Sequence, residues 1–170
     1  MTNRSHHDGA LVHFSERLTN SAAFGTLFRE GMDLVEETAA YLDGVGRTEA
    51  KALDRSVSLT YATESMRLTT RLMQLASWLL LHRAVKEGEM TLTQANREKT
   101  KVKLSAADPG PVDMIERLPD QLQELIARSV ALQAKVRRLD TTIHAPATER
   151  ASIGNPLVPQ LNRLKAAFER

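Results

Sequence analysis

Glu64, Arg67 and Arg71 stand at i, i+3 and i+7 within ESMRLTTRLMQLASWLL, which places a carboxylate and two guanidiniums on one face of a helix. Such a set serves either as an intrahelical ion network, worth about 0.3–0.5 kcal/mol per pair, or as a polar patch on which bidentate arginines give a partner geometric specificity. Thr69, Thr70, Gln74 and Ser77 cluster beside it, so the partner-binding candidates here are Glu64, Arg67, Arg71 and Gln74. His6, His7, His13, His82 and His144 never stand at i, i+4 from one another, and the expectation is that the chain holds no metal. The chain has no cysteine, which excludes disulfides, thiolate zinc sites and thiol nucleophiles. No serine lies in a nucleophile-elbow sequence, and the lone Gly44-Val45-Gly46 reads as a turn rather than a phosphate cradle. Neither an enzyme nor a cofactor is expected.

What must position these residues is a chain of 170 residues, one domain by length. Few glycines, prolines and aromatics disfavour short turn-linked strands, and 42% hydrophobic with 26% charged residues supports a sizeable helical core. The formal charge is only +2, which gives little counterion-release drive, so no nucleic acid is expected. A helical nucleic-acid-binding regulator using Arg137, Arg138, Arg163 and Lys165 is the alternative reading. The N-terminus lacks the apolar region of a signal peptide, and the longest apolar run, Trp78 to Leu81, is far below the roughly 20 residues of a membrane span. The expected location is the cytoplasm.

Residues 1–18 read as a flexible arm, 19–140 as a helical domain and 141–170 as a flexible tail. Thr19, Asn20 or Ser21 caps a first helix to Asp43, with Phe24, Phe28, Gly31, Val35, Ala39 and Leu42 on one stripe. Gly44 and Gly46 supply positive-φ turn positions, and Thr48 caps a second helix. That helix is unbroken from Arg47 to Glu87, about 60 Å at 1.5 Å per residue, and carries a seven-residue repeat Leu59, Met66, Met73, Leu80 beside Leu68, Leu72, Leu75 and Leu79. Gly88 ends it, and Thr91 with Gln94 makes a capping box for a short polar helix. After the loop 105–111, Leu118, Leu122, Leu125, Ser129, Leu132, Val136 and Leu139 define a third helix ending at Asp140. The tail holds Leu157, Leu161, Leu164 and Phe168 at helical spacing, a partner-docking stripe. The fold class is all-α, an antiparallel three-helix bundle with one long central helix and a flexible C-terminal tail.

A first helix turning at Gly44 covers the second only to about Thr70 at equal rise per residue. The richer half beyond it would then need a second subunit. Leu72, Leu75, Trp78 and Leu79 are the expected dimer interface, although Trp78, taken by itself among leucines and methionines, reads first as core packing and only second as an interface residue.

The blocks FREGMDLVEETAAYLDGVGR (residues 28–47), YATESMRLTTRLMQLASWLL (61–80) and RAVKEGEMT (83–91), with the LP…RRLD frame of residues 118–140, resemble the RcdA family, regulators of CtrA degradation in the bacterial cell cycle. The resemblance implies a three-helix bundle, commonly a homodimer, without enzymatic activity. It implies an adaptor for the ClpXP protease that binds a CpdR-like response regulator and recruits protein cargo or a PopA-like adaptor, concentrated at the cell pole. It also implies a flexible C-terminal tail, matched here by residues 141–170.

Overall fold

The structure, a computed structural model, describes residues 21–99 and 110–144. Among these residues there are six helices and no strand: α1 (Ala22–Asp43), α2 (Val45–Lys51), α3 (Arg55–Lys86), α4 (Leu92–Lys99), α5 (Val112–Ile115) and α6 (Asp120–His144). The core is the bundle of α1, α3 and α6, as its all-α composition requires. The expected arm 1–18 and most of the expected tail lie outside the described residues.

Ser21 is the cap that starts α1, its hydroxyl accepting the Phe24 N–H at 3.3 Å. The buried seam of α1 is Phe24, Leu27, Gly31, Leu34, Thr38 and Tyr41, one position rotated from the predicted stripe for most members. Phe28, Val35 and Leu42 only flank the core. An apolar helix face wedged between two neighbours is wide, and a single stripe drawn through it misses its axis.

The predicted 40-residue second helix is two helices. Asp54 (φ −58°, ψ 154°) is extended and starts α3 afresh, with the Ser58 N–H donating to its carbonyl at 2.7 Å. The Asp54 side chain makes no capping hydrogen bond, so neither a side-chain cap nor a glycine or proline marks this break in the sequence. Nor do the glycines act through positive φ: Gly44 has φ −110° and serves both as end of α1 and start of α2, while Thr48 lies inside α2. They act by size. A Cβ on Gly46 would lie 2.8 Å from the Tyr41 carbonyl oxygen and 2.6 Å from the Tyr61 hydroxyl.

This short α2 shifts the register of the bundle. The ring of Phe24 meets Trp78, Gly31 lies against Leu79, and Gly46 of α2 lies against Tyr61, so antiparallel α1 and the α2 that follows it together cover α3 from Tyr61 to Trp78 and beyond. The expected limit near Thr70 is therefore wrong, because the residues of α2 and its exit occupy length assigned to the start of the long helix. α3 is nonetheless the longest element, 32 residues.

It ends in a Schellman motif at Gly88 (φ 75°), the Glu89 N–H donating to the Ala84 carbonyl and the Gly88 N–H to that of Val85. The Thr91–Gln94 capping box forms as the spacing predicts, with Thr91 N–H donating to Gln94 Oε1 at 2.9 Å and Gln94 N–H to Thr91 Oγ1 at 3.2 Å. α4 ends beside α6, where Lys99 pairs with Asp140, whereas Gly110 lies against Glu64 near the other end of α3. α6 runs parallel to α3 and antiparallel to α1. Pairing of Arg71 with Ser129 and Trp78 with Asp140 fixes the first relation; Glu30 with Lys135 and Glu37 with Arg128 fix the second. The stripe predicted for α6 is buried from Leu118 to Val136, with Leu139 packed at its edge, and the helix runs one turn past Asp140.

Candidate functional site

The predicted ion cluster lies mostly inside the protein. Glu64 and Arg71 are each only 2% exposed, which corrects the expectation that they face a partner. Glu64 Oε1 accepts from Arg67 Nη1 at 2.5 Å and from the Gly110 N–H at 3.2 Å, which ties α3 to the segment leading into α5. Arg71 Nη1 donates to Ser129 Oγ at 2.8 Å, and that hydroxyl donates to the Ile126 carbonyl at 2.7 Å. Burial pulls the Arg71 guanidinium below its usual range, opposed by the nearby Glu64 carboxylate. A buried cation left without its acceptor is costly, so this chain of bonds locks α6 to α3. Arg67 and Gln74 are the members of the cluster that keep contact with solvent.

The four predicted dimer residues are also enclosed. Leu72, Leu75, Trp78 and Leu79 are buried within a single chain, because the shifted α1 and the parallel α6 both reach them. The geometric excess that called for a second subunit at these positions does not exist. Leu157, Leu161, Leu164 and Phe168 lie outside the described residues, as do Arg163 and Lys165; Arg137 and Arg138 are on the exposed side of α6.

What the surface offers instead is the other repeat of α3. Leu59, Met66, Met73 and Leu80 are 72%, 72%, 67% and 52% exposed, a straight apolar ridge at seven-residue intervals. The sequence shows this repeat plainly, but period alone does not say whether it points inward. Beside Met73 a cleft of about 330 Å³ opens between α1 and α3, walled by Val35, Thr38, Leu42, Leu72 and Ala76. Ridge and cleft together form an apolar surface with one convex and one concave part, the shape of a helix-docking or self-association site.

A second constellation, which the sequence reading missed, closes the far end of the bundle. His82, fully buried, stacks on Trp78 with ring centroids 3.9 Å apart. Its Nδ1 lies 2.9 Å from the Trp78 carbonyl oxygen, which can only accept, so Nδ1 carries the hydrogen and Nε2 a lone pair. Burial holds this imidazole below its usual pKa, only partly offset by the Trp78 carbonyl and Asp140. His144 Nε2 approaches to 3.3 Å, and Asp140 accepts from Trp78 Nε1 at 2.8 Å and Lys99 Nζ at 2.7 Å. In the sequence the cluster shows only as Asp140 and His144 at i, i+4, a carboxylate–histidine pair that histidine spacing alone does not reveal.

A family model described as "Protein of unknown function (DUF1465)" matches residues 15–168. Among solved structures the chain is similar to RcdA from Caulobacter crescentus CB15, with 48% identity, 78% of this chain and 99% of that chain covered, and a TM-score of 0.64. No curated protein sequence matches it. No helix among the described residues is long and apolar enough to cross a membrane.

Proposed function

The chain belongs to the RcdA family, whose model here carries the description DUF1465, and from that premise we propose that it is a non-enzymatic adaptor for regulated, cell-cycle-linked proteolysis. It recruits protein cargo to the ClpXP protease, acting with a CpdR-like response regulator and a PopA-like adaptor, in the cytoplasm and at the cell pole. The observation that carries this reading is the likeness along nearly the whole of the RcdA chain. The rigid apolar ridge on α3 supports it, since a protein that works by holding others needs a preformed surface.

Homodimerisation belongs to the same reading, moved from the buried residues to the ridge. The order Leu59, Met66, Met73, Leu80 is symmetric about Thr69 and Thr70. An antiparallel second copy therefore sets Leu59 against Leu80 and Met66 against Met73, the self-complementarity that a two-fold interface requires. Two copies present two cargo contacts, and each further contact becomes effectively intramolecular once the first has formed. Residues 157–168 supply one such contact through their apolar stripe.

Capture on the immobilised full chain from its native cytosol tests the adaptor role. Protease subunits and a receiver-domain protein are expected in the eluate, and a bait with Leu161→Glu and Phe168→Glu is expected to keep those partners but lose cargo. An eluate without protease or receiver domain overturns the reading.

A further inference from the structure

We propose that His82, Asp140 and His144 form a transition-metal site, suited to Zn²⁺, that staples the last turn of α6 to α3. Their ligand atoms all lie within 4.8 Å of one another. The two imidazole Nε2 atoms are 3.3 Å apart, and His144 Nε2 is 3.5 Å from Asp140 Oδ1. Donors at about 2.0–2.1 Å from a tetrahedral zinc ion stand about 3.3–3.4 Å from one another, so two of the three edges are already near that length and the third, between His82 and Asp140, lies within 4.8 Å.

The surroundings are those of a prepared site. Imidazoles that hold metals donate their second ring N–H to a carbonyl or carboxylate, which fixes the tautomer and aims the lone pair. His82 does so through Nδ1 to the Trp78 carbonyl, 2.9 Å away, and its ring stacks on that of Trp78. Asp140 is oriented by Trp78 Nε1, and a carboxylate oxygen that accepts one N–H keeps a lone pair for a metal. Two imidazoles and one carboxylate select zinc and its neighbours over Mg²⁺ or Ca²⁺, which take oxygen ligands. Three protein ligands leave a fourth position for water or an incoming donor. One group opposes binding: the Lys99 ammonium, 2.7 Å from Asp140 Oδ2, already neutralises the carboxylate. Its side chain is 24% exposed and can swing aside.

The protein carries its own reporter, because Trp78 is the only tryptophan and lies against His82. Chelator-treated full-length protein is titrated with Co²⁺ while tryptophan fluorescence is followed. Saturable quenching that Zn²⁺ reverses is expected in the wild type. His82→Gln and His144→Gln should each weaken it at least about tenfold, and Lys99→Gln should tighten it by relieving the competing charge. Zn²⁺ should raise the melting temperature of the wild type and leave that of His144→Gln unchanged. His144 sits at the rim, so this variant and Lys99→Gln decide the matter if His82→Gln fails to fold. No quenching in the wild type overturns the site. So does quenching of equal affinity in the histidine variants, which would place the ion on His6, His7 or His13. A Lys99→Gln protein that binds no more tightly removes Asp140 from the set, and the three-ligand site with it.

Discussion

At the scale of single residues, the polar groups of this bundle work as fasteners between helices. Arg71, Ser129, Trp78 and Asp140 join α3 to α6, and Tyr41 joins α1 to α2 by donating to Glu49 Oε2 at 2.6 Å. The tyrosines give this arrangement a measurable pH signature. Burial raises the Tyr41 pKa far above its usual value, with the Glu49 hydrogen bond adding to the effect, and burial raises that of Tyr61 as well. A raised pKa means that the folded state holds its proton when the unfolded chain has begun to lose it. The associated stability is intact below the unfolded value near about pH 10 and declines as pH rises above it. Since the chain has only these two tyrosines, tyrosinate absorbance should rise at a higher pH in the folded protein than in the urea-denatured chain. Tyrosinate appearing near pH 10 with the helices intact would contradict the buried phenols.

At the scale of elements, the decisive feature is a glycine used for closeness. α2 can fold back under the start of α3 only because Gly46 has no Cβ to meet the Tyr41 carbonyl oxygen and the Tyr61 hydroxyl. Gly25, in the first turns of α1, has nothing within 4 Å of the position a Cβ would take. Gly46→Ala should therefore cost about 1–3 kcal/mol through overpacking, while Gly25→Ala should gain up to about 1 kcal/mol from helix propensity. Denaturant melts of the two variants give opposite signs if the packing is as described. The same elements explain what was legible in the sequence. The α6 seam could be read because each of its apolar residues serves one continuous interface. α3 has repeats of period seven on two sides, Leu68–Leu75–His82 buried and Leu59–Met66–Met73–Leu80 exposed, and period carries no information about which side a neighbour will take. The break at Asp54 changed the register of α1 on α3, and with it the residues thought to need a partner. His82 and His144, 62 positions apart in sequence, meet only because α6 returns parallel to α3.

At the scale of the whole molecule, the chain separates what folds it from what it presents. The leucines facing α1 and α6 are enclosed, and the ridge residues are mostly exposed and lie outside the core cluster. Burying a Leu or Met side chain is worth about 1.5–3 kcal/mol, so a symmetric pairing that covers the ridge on both copies has a driving force well above that of any one contact. Substitutions should divide accordingly. Met66→Glu with Met73→Glu places like charges opposite each other in the antiparallel pair and should give a monomer by light scattering at concentrations where the wild type is a dimer. Its helical content should be undiminished, because neither methionine supports the fold. Leu72→Ala or Leu79→Ala should behave in the opposite way, losing about 2–5 kcal/mol of stability from the cavity left in the core. A wild type that remains monomeric at tens of micromolar would remove the dimer and leave the ridge to cargo. A Met66→Glu, Met73→Glu variant that pairs as tightly as the wild type would instead move the interface off α3, and the symmetry of the repeat would then have no structural consequence.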